Sequence, residues 1–245
     1  NVCGAPDRHG VMVSRRARDH QMPGAPNVRD AFGWLVAAAS IVFAVPAVFS
    51  MGMRWERPLF LIPYVAGVGL FLAIYFRRHP LSIRQWIGYW PYAFVGAAAA
   101  SFLMFWNIAG QPSSAMPQGW RLALALVWAG LAYGVIDGLL LNVFPVLAVQ
   151  GASFFDSKPP PQLRFFSGLL ALVASLAITV IYHLGYSGFQ GVAIASVMIG
   201  NAIITLTYLL TGSPVAAVAT HVFMHMAAVL HGMETTLQLP PHYMR

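Results

Sequence analysis

The sequence predicts an all-α, polytopic membrane bundle of about seven transmembrane helices, and three observations carry that expectation. Of the 245 residues 58% are hydrophobic and only 9% charged, more apolar chain than a water-soluble domain of this size can hide in one core. The apolar residues fall into seven runs, at about 31–53, 58–76, 89–109, 120–150, 165–183, 188–210 and 213–231, each near or above the ~20 residues that cross a bilayer as a helix. Within each run the hydrophobicity is continuous and does not alternate residue by residue, which argues against a transmembrane β-barrel.

Ahead of the first run, Asn27 and Asp30 have the spacing of an N-cap with an acidic residue at the third helical position, so the helix starts just before its apolar stretch. The second run stops at Arg77 and Arg78. The third opens among Trp86, Tyr89, Trp90 and Tyr92, aromatic residues of the kind that settle at a bilayer interface. The fourth, led by Trp120, is about 31 residues long, more than a bilayer needs, so it must tilt, kink at Pro145 or run past the membrane surface. Its Gly130, Gly134 and Gly138 recur at intervals of four, a small-residue face that lets another helix approach closely. Pro159, Pro160 and Pro161 stiffen the loop that leads to the fifth run. The turn LGYSG separates the fifth from the sixth, and a small-residue turn, GSP, introduces the seventh. No internal repeat is evident.

Three parts follow: a basic N-terminal interfacial arm over 1–30, a transmembrane domain over 31–231, and a C-terminal tail over 232–245. The net charge of +7 invites a nucleic-acid reading, but the basic residues crowd the arm (Arg8, Arg15, Arg16, Arg18, Arg29) and flank apolar runs, which is a topology signal and not a nucleic-acid footprint. Ten Lys and Arg in the arm and in the 77–84 and 151–164 loops stand against four on the other side (Arg54, Arg57, Arg121, Arg245), placing the N-terminus in the cytoplasm. Cys3 is the lone cysteine, so no intrachain disulfide forms, and the first thirty residues hold no apolar stretch of signal-peptide type.

Asp137 is the one carboxylate inside any of the seven runs. A central aspartate disfavours membrane insertion by about 2.5–3.5 kcal/mol, so a partner and a purpose are expected. No lysine or arginine lies in the interior of the later runs, which leaves His183, His221 and His225. His221 and His225, four residues apart, share one helical face with Cβ atoms ~5–6 Å apart, a usual way for a helix to supply two metal ligands. Asp137 and His183 would complete a four-ligand set for a divalent metal such as zinc. Asn107, Asn142 and Asn201 read instead as interhelical hydrogen-bonders, and His9, His20, His79, His231 and His242 as solvated or interfacial.

The order DGLLLN (Asp137–Asn142), TVIYH (Thr179–His183) and HVFMH (His221–His225), with GSPVAAVAT leading into His221, resembles the CAAX protease and bacteriocin-processing family of intramembrane proteases. That family carries EExxxR, FxxxH and HxxxN, and the resemblance covers about 120–231, half the chain. It implies a peptidase of the bacterial cytoplasmic membrane that acts on a peptide or protein substrate. Asp137 and His183 would activate water, while His221 and His225 stabilise the oxyanion or hold metal. The chain departs from the pattern at Asp137 and Gly138 for the glutamates, Asn142 for the arginine, Thr179 for the phenylalanine and His225 for the asparagine. One carboxylate with three imidazoles suits a transition metal better than the family's own set. Four protein ligands would make a structural site, three with a water a catalytic one. Two other readings stand beside the enzyme: a catalytically inactive accessory or structural subunit of a larger membrane complex, and a proton pathway through the aspartate and histidines.

Overall fold

In the computed structural model the described residues are 28–152, 160–189, 191 and 193–240. The basic arm through Asn27, Lys158 and Pro159 in the proline-rich loop, and the last five residues lie outside them. Seven helices are long and apolar enough to cross a membrane: α1 Val28–Gly52, α2 Arg57–Arg78, α3 Ile83–Ala109, α4 Trp120–Gly151, α5 Pro161–Leu184, α6 Ala193–Thr211 and α7 Pro214–His231. No strand occurs among the described residues, so the chain is an all-α polytopic bundle.

Local chemistry sets most helix boundaries. Proline stands in the first turn of α2, α5 and α7, where its fixed φ suits a helix and its missing N–H has no intrahelical partner to lose. This carries α5 back to Pro161, four residues ahead of its apolar run. Asp30 lies in the first turn of α1, while Asn27, its expected cap, lies outside the described residues. Ser82 closes a capping box with Gln85 that starts the short helix Ile83–Ile87, and Gly88 at φ 63° turns the chain into the membrane-crossing part of α3. Ser213 caps α7 by accepting from the Ala216 N–H.

The excess length of α4 is taken up by wide π-type turns over Leu126–Ala132 and Gly138–Val143, which flank the short α-helical piece Tyr133–Asp137. Such turns are frequent beside functional residues. Pro145 follows immediately and cannot donate to the carbonyl of Leu141; that carbonyl accepts instead from the Ser175 hydroxyl of α5 at 2.6 Å.

The glycine face of α4 packs against α7. A Cβ at Gly130 would come within 2.9 Å of Met226 Cγ, one at Gly134 within 2.8 Å of Val222 Cα, and one at Gly138 within 3.1 Å of Val218 Cα and His221 Cβ. The two backbones approach this closely because three successive side chains are absent. That contact sets α7's histidine face against the α4 aspartate.

At the end of the bundle away from Val28, the chain past α7 folds back. The Thr235 hydroxyl donates to the Pro112 carbonyl at 2.6 Å, Arg57 Nε donates to the Pro240 carbonyl at 2.5 Å, and Leu239 is buried. The Gly185–Phe189 turn also sinks into the protein, as the depth of His183 demands: Tyr186, Gly188 and Phe189 are buried, and a Cβ on Gly185 would lie 2.7 Å from Pro46 Cβ.

Candidate functional site

Asp137 on α4 and His221 and His225 on α7 converge. Both imidazole Nε2 atoms stand 3.8 Å from the same carboxylate oxygen, Oδ2, and the three candidate ligand atoms lie within 4.8 Å of one another. All three residues are almost wholly shielded, at 2%, 4% and 1% exposure. The two rings stack with centroids 4.9 Å apart, the arrangement that one helical turn dictates.

The hydrogen-bonding state of His221 follows from a chain of constraints that begins at Pro145. The Leu141 carbonyl takes the only proton of the Ser175 hydroxyl. The Asn201 atom 2.9 Å from Ser175 Oγ must then be the donating Nδ2, which turns Asn201 Oδ1 toward Asn142. Asn142 Nδ2 donates to that oxygen at 2.8 Å and to Thr205 Oγ1 at 2.9 Å. Asn142 Oδ1 is left facing His221 Nδ1 at 2.7 Å, so Nδ1–H is the donor. His221 therefore carries a proton on Nδ1, and in the neutral ring the Nε2 lone pair points at the aspartate.

A lone pair aimed at a carboxylate oxygen at 3.8 Å is neither a hydrogen bond nor an attraction, and His225 sharpens the point. Neither of its ring nitrogens has a hydrogen-bond partner among the described residues, although the Gln238 backbone faces the ring without meeting hydrogen-bond geometry. An imidazole in that condition on a cavity wall needs a partner from within the cavity. A cation between the three atoms resolves both problems. Tetrahedral zinc, with ligand distances of about 2.0–2.2 Å, spaces its nitrogen and oxygen ligands by about 3.4 Å, against 3.8 Å for each imidazole–carboxylate pair and at most 4.8 Å for any pair here. The residues present fit a divalent transition metal, with the Asn142 amide orienting the ligand ring from behind.

The fourth expected member stands apart from the trio. His183 lines the same cavity, but it closes α5 near one end of the bundle and does not belong to the compact group of three. Its Nδ1 is 2.8 Å from the Thr179 carbonyl, which can only accept, so the neutral ring keeps Nε2 as acceptor. Of the four residues expected to converge, three thus form the compact group, and His183 lines their cavity outside it.

The cavity has a volume of about 350 Å³. Asp137, His221 and His225 line it together, His183 lines it apart from them, and apolar side chains of α3 and α6 (Leu103, Ile203) and the polar Asn107, Gln111 and Gln238 complete the lining. Sequence reasoning set Asn142 aside as a helix-packing amide, which it is, but its Oδ1 also fixes His221. It missed Tyr64 of α2, whose hydroxyl donates to Asp137 Oδ1. The only sequence signal for Tyr64 was a phenol in an otherwise apolar run. Comparison of the chain with protein-family models, with curated proteins and with solved structures finds no match.

Proposed function

We propose that the chain is an intramembrane hydrolase of the peptidase type that its motifs resemble, working at a divalent transition metal held by Asp137, His221 and His225. The observation that carries this reading is the placement of two buried histidine Nε2 atoms at equal distance from one buried aspartate oxygen on the wall of a cavity. When bound, the metal would supply an acidified water and a Lewis-acid centre. Asp137, His221 and His225 bind it. His183, oriented through Nδ1 by Thr179, is the group at the cavity wall that would take a proton from water. The apolar α3 and α6 side chains exclude bulk water and leave room for an extended segment of a peptide or protein substrate. The site differs from the family pattern in the way the substitutions require: a shorter acid with a third imidazole favours metal over a glutamate-activated water.

The basic residues Arg77, Arg78, Arg84 and Arg164 lie at the Val28 end of the bundle, and this supports an orientation with that end in the cytoplasm; the bacterial membrane rests on the motif resemblance alone. The test is metal analysis of the full chain purified in detergent without chelator. One equivalent of zinc or a related metal is expected, and none in Asp137→Ala. A well-folded wild-type chain that takes up no metal and co-purifies with stoichiometric partner subunits would support the inactive accessory reading in its place.

A further inference from the structure

Asp137 is served by an unusual concentration of phenols. Tyr64 of α2, Tyr133 of α4, Tyr182 of α5 and Tyr186 in the turn behind α5 are all buried, at 0% or 1% exposure. Their hydroxyls are linked: Tyr186 donates to Tyr182 at 2.7 Å, and Tyr182 lies 2.7 Å from Tyr133. Tyr64 donates directly to Asp137 Oδ1, and its ring packs against those of Tyr133 and Tyr182 at centroid separations of 5.5 and 5.4 Å. Tyr133 precedes Asp137 by one helical turn, and its hydroxyl also faces that carboxylate. Three transmembrane helices and a buried turn thus spend four hydroxyls on one acid.

The arrangement has a direction. A carboxylate only accepts, so the phenols beside it turn their protons toward it. With Tyr133 pointed at Asp137, the bond between Tyr182 and Tyr133 runs from Tyr182, and Tyr186 already donates to Tyr182. Hydrogen bonds in series polarise one another, so the outer phenols strengthen what the inner one delivers. They also divide the labour between the two carboxylate oxygens: Oδ1 is taken by Tyr64, while Oδ2 is the oxygen that both histidines face.

Building on the metal reading, we propose that Tyr64, backed by the Tyr133–Tyr182–Tyr186 row, is the positioning residue that holds Asp137 as a one-oxygen metal ligand. Without it the carboxylate is free to rotate about its last bond and to present both oxygens or neither. Tyr64 does not touch the ion; it acts through Asp137. Outer partners of metal ligands are worth about 10- to 100-fold in affinity, and that is the size expected here.

The experiment is a titration of the full chain in detergent with Co²⁺, followed by the visible absorption of the bound ion and by its dissociation constant, for wild type, Tyr64→Phe and Tyr182→Phe. Tyr64→Phe removes one oxygen and preserves the ring. It should weaken binding about 10- to 100-fold and alter the absorption bands, since the carboxylate's mode of coordination changes. Tyr182→Phe leaves Asp137 untouched and breaks the row one step back, so a smaller loss, of about threefold, is expected. Melting curves of the metal-free proteins establish folding, and Tyr182→Phe keeps the test alive should Tyr64→Phe fail to fold. If wild type binds cobalt and both variants bind it equally tightly with an unchanged spectrum, the positioning role is wrong while the metal reading stands. If wild type binds none, the metal reading fails and takes the positioning role with it.

Discussion

Gly134→Ala tests the packing that brings the site together. The added methyl would sit 2.8 Å from Val222 Cα and 3.3 Å from Val222 N, about 0.6 Å inside ordinary contact at its nearest point. Both groups belong to the α7 backbone, so no side-chain rotation relieves the clash and α7 has to move away from α4. Alanine gains about 0.5–1 kcal/mol over glycine in a helix interior, and overpacking costs about 1–3 kcal/mol. Gly67→Ala on α2 supplies the reference, since a Cβ there meets nothing within 4 Å and only the gain applies. The difference between the two variants isolates the packing cost and should be about 1–3 kcal/mol, measured as reversible unfolding in mixed detergent micelles titrated with dodecyl sulfate. Because His221 and His225 ride on α7, the same displacement should lower metal affinity in Gly134→Ala and leave it unchanged in Gly67→Ala. Equal stability of the two variants would refute the close approach of α4 and α7, and with it the reason the aspartate and histidines meet.

Removal of single site residues should separate ligands from neighbours: His221→Ala abolishes stoichiometric metal uptake, whereas His183→Ala retains it within about threefold, as mass spectrometry of metal content would show. His225→Leu should abolish uptake yet stabilise the metal-free chain by about 1 kcal/mol in the same unfolding assay, because a buried imidazole without hydrogen-bond partners is replaced by an apolar group. Ser175→Ala leaves the Leu141 carbonyl and Asn201 Nδ2 short of a partner, at about 1–3 kcal/mol for each buried group, and frees the Asn201 and Asn142 amides to flip. Nitrogen chemical shifts of His221 should then show its proton leaving Nδ1, and an unchanged tautomer would break the proposed chain from Pro145.

Periodicity alone determined the class of this protein. Seven continuous apolar runs require seven helices, because a backbone in lipid must satisfy its own hydrogen bonds and a single helix does so with local residues only. The same logic marked Asp137 and the α7 histidines, since ionisable side chains in such runs are conspicuous by residue type. The four-residue spacing of His221 and His225 and the glycine face of α4 were also legible, each being a property of one helix and its 3.6-residue turn. The partners across helices were another matter. That α7 is the helix received by Gly130, Gly134 and Gly138, that Tyr64 of α2 reaches Asp137, and that Ser175 of α5 takes the carbonyl freed by Pro145 are contacts between residues tens of positions apart. No local pattern encodes them, because in lipid helices choose one another by shape and by pairing of polar groups over their whole length. Depth behaved likewise: His183 belonged with the other three by residue type, and only the packing of α5 showed that it lines their cavity without joining their cluster.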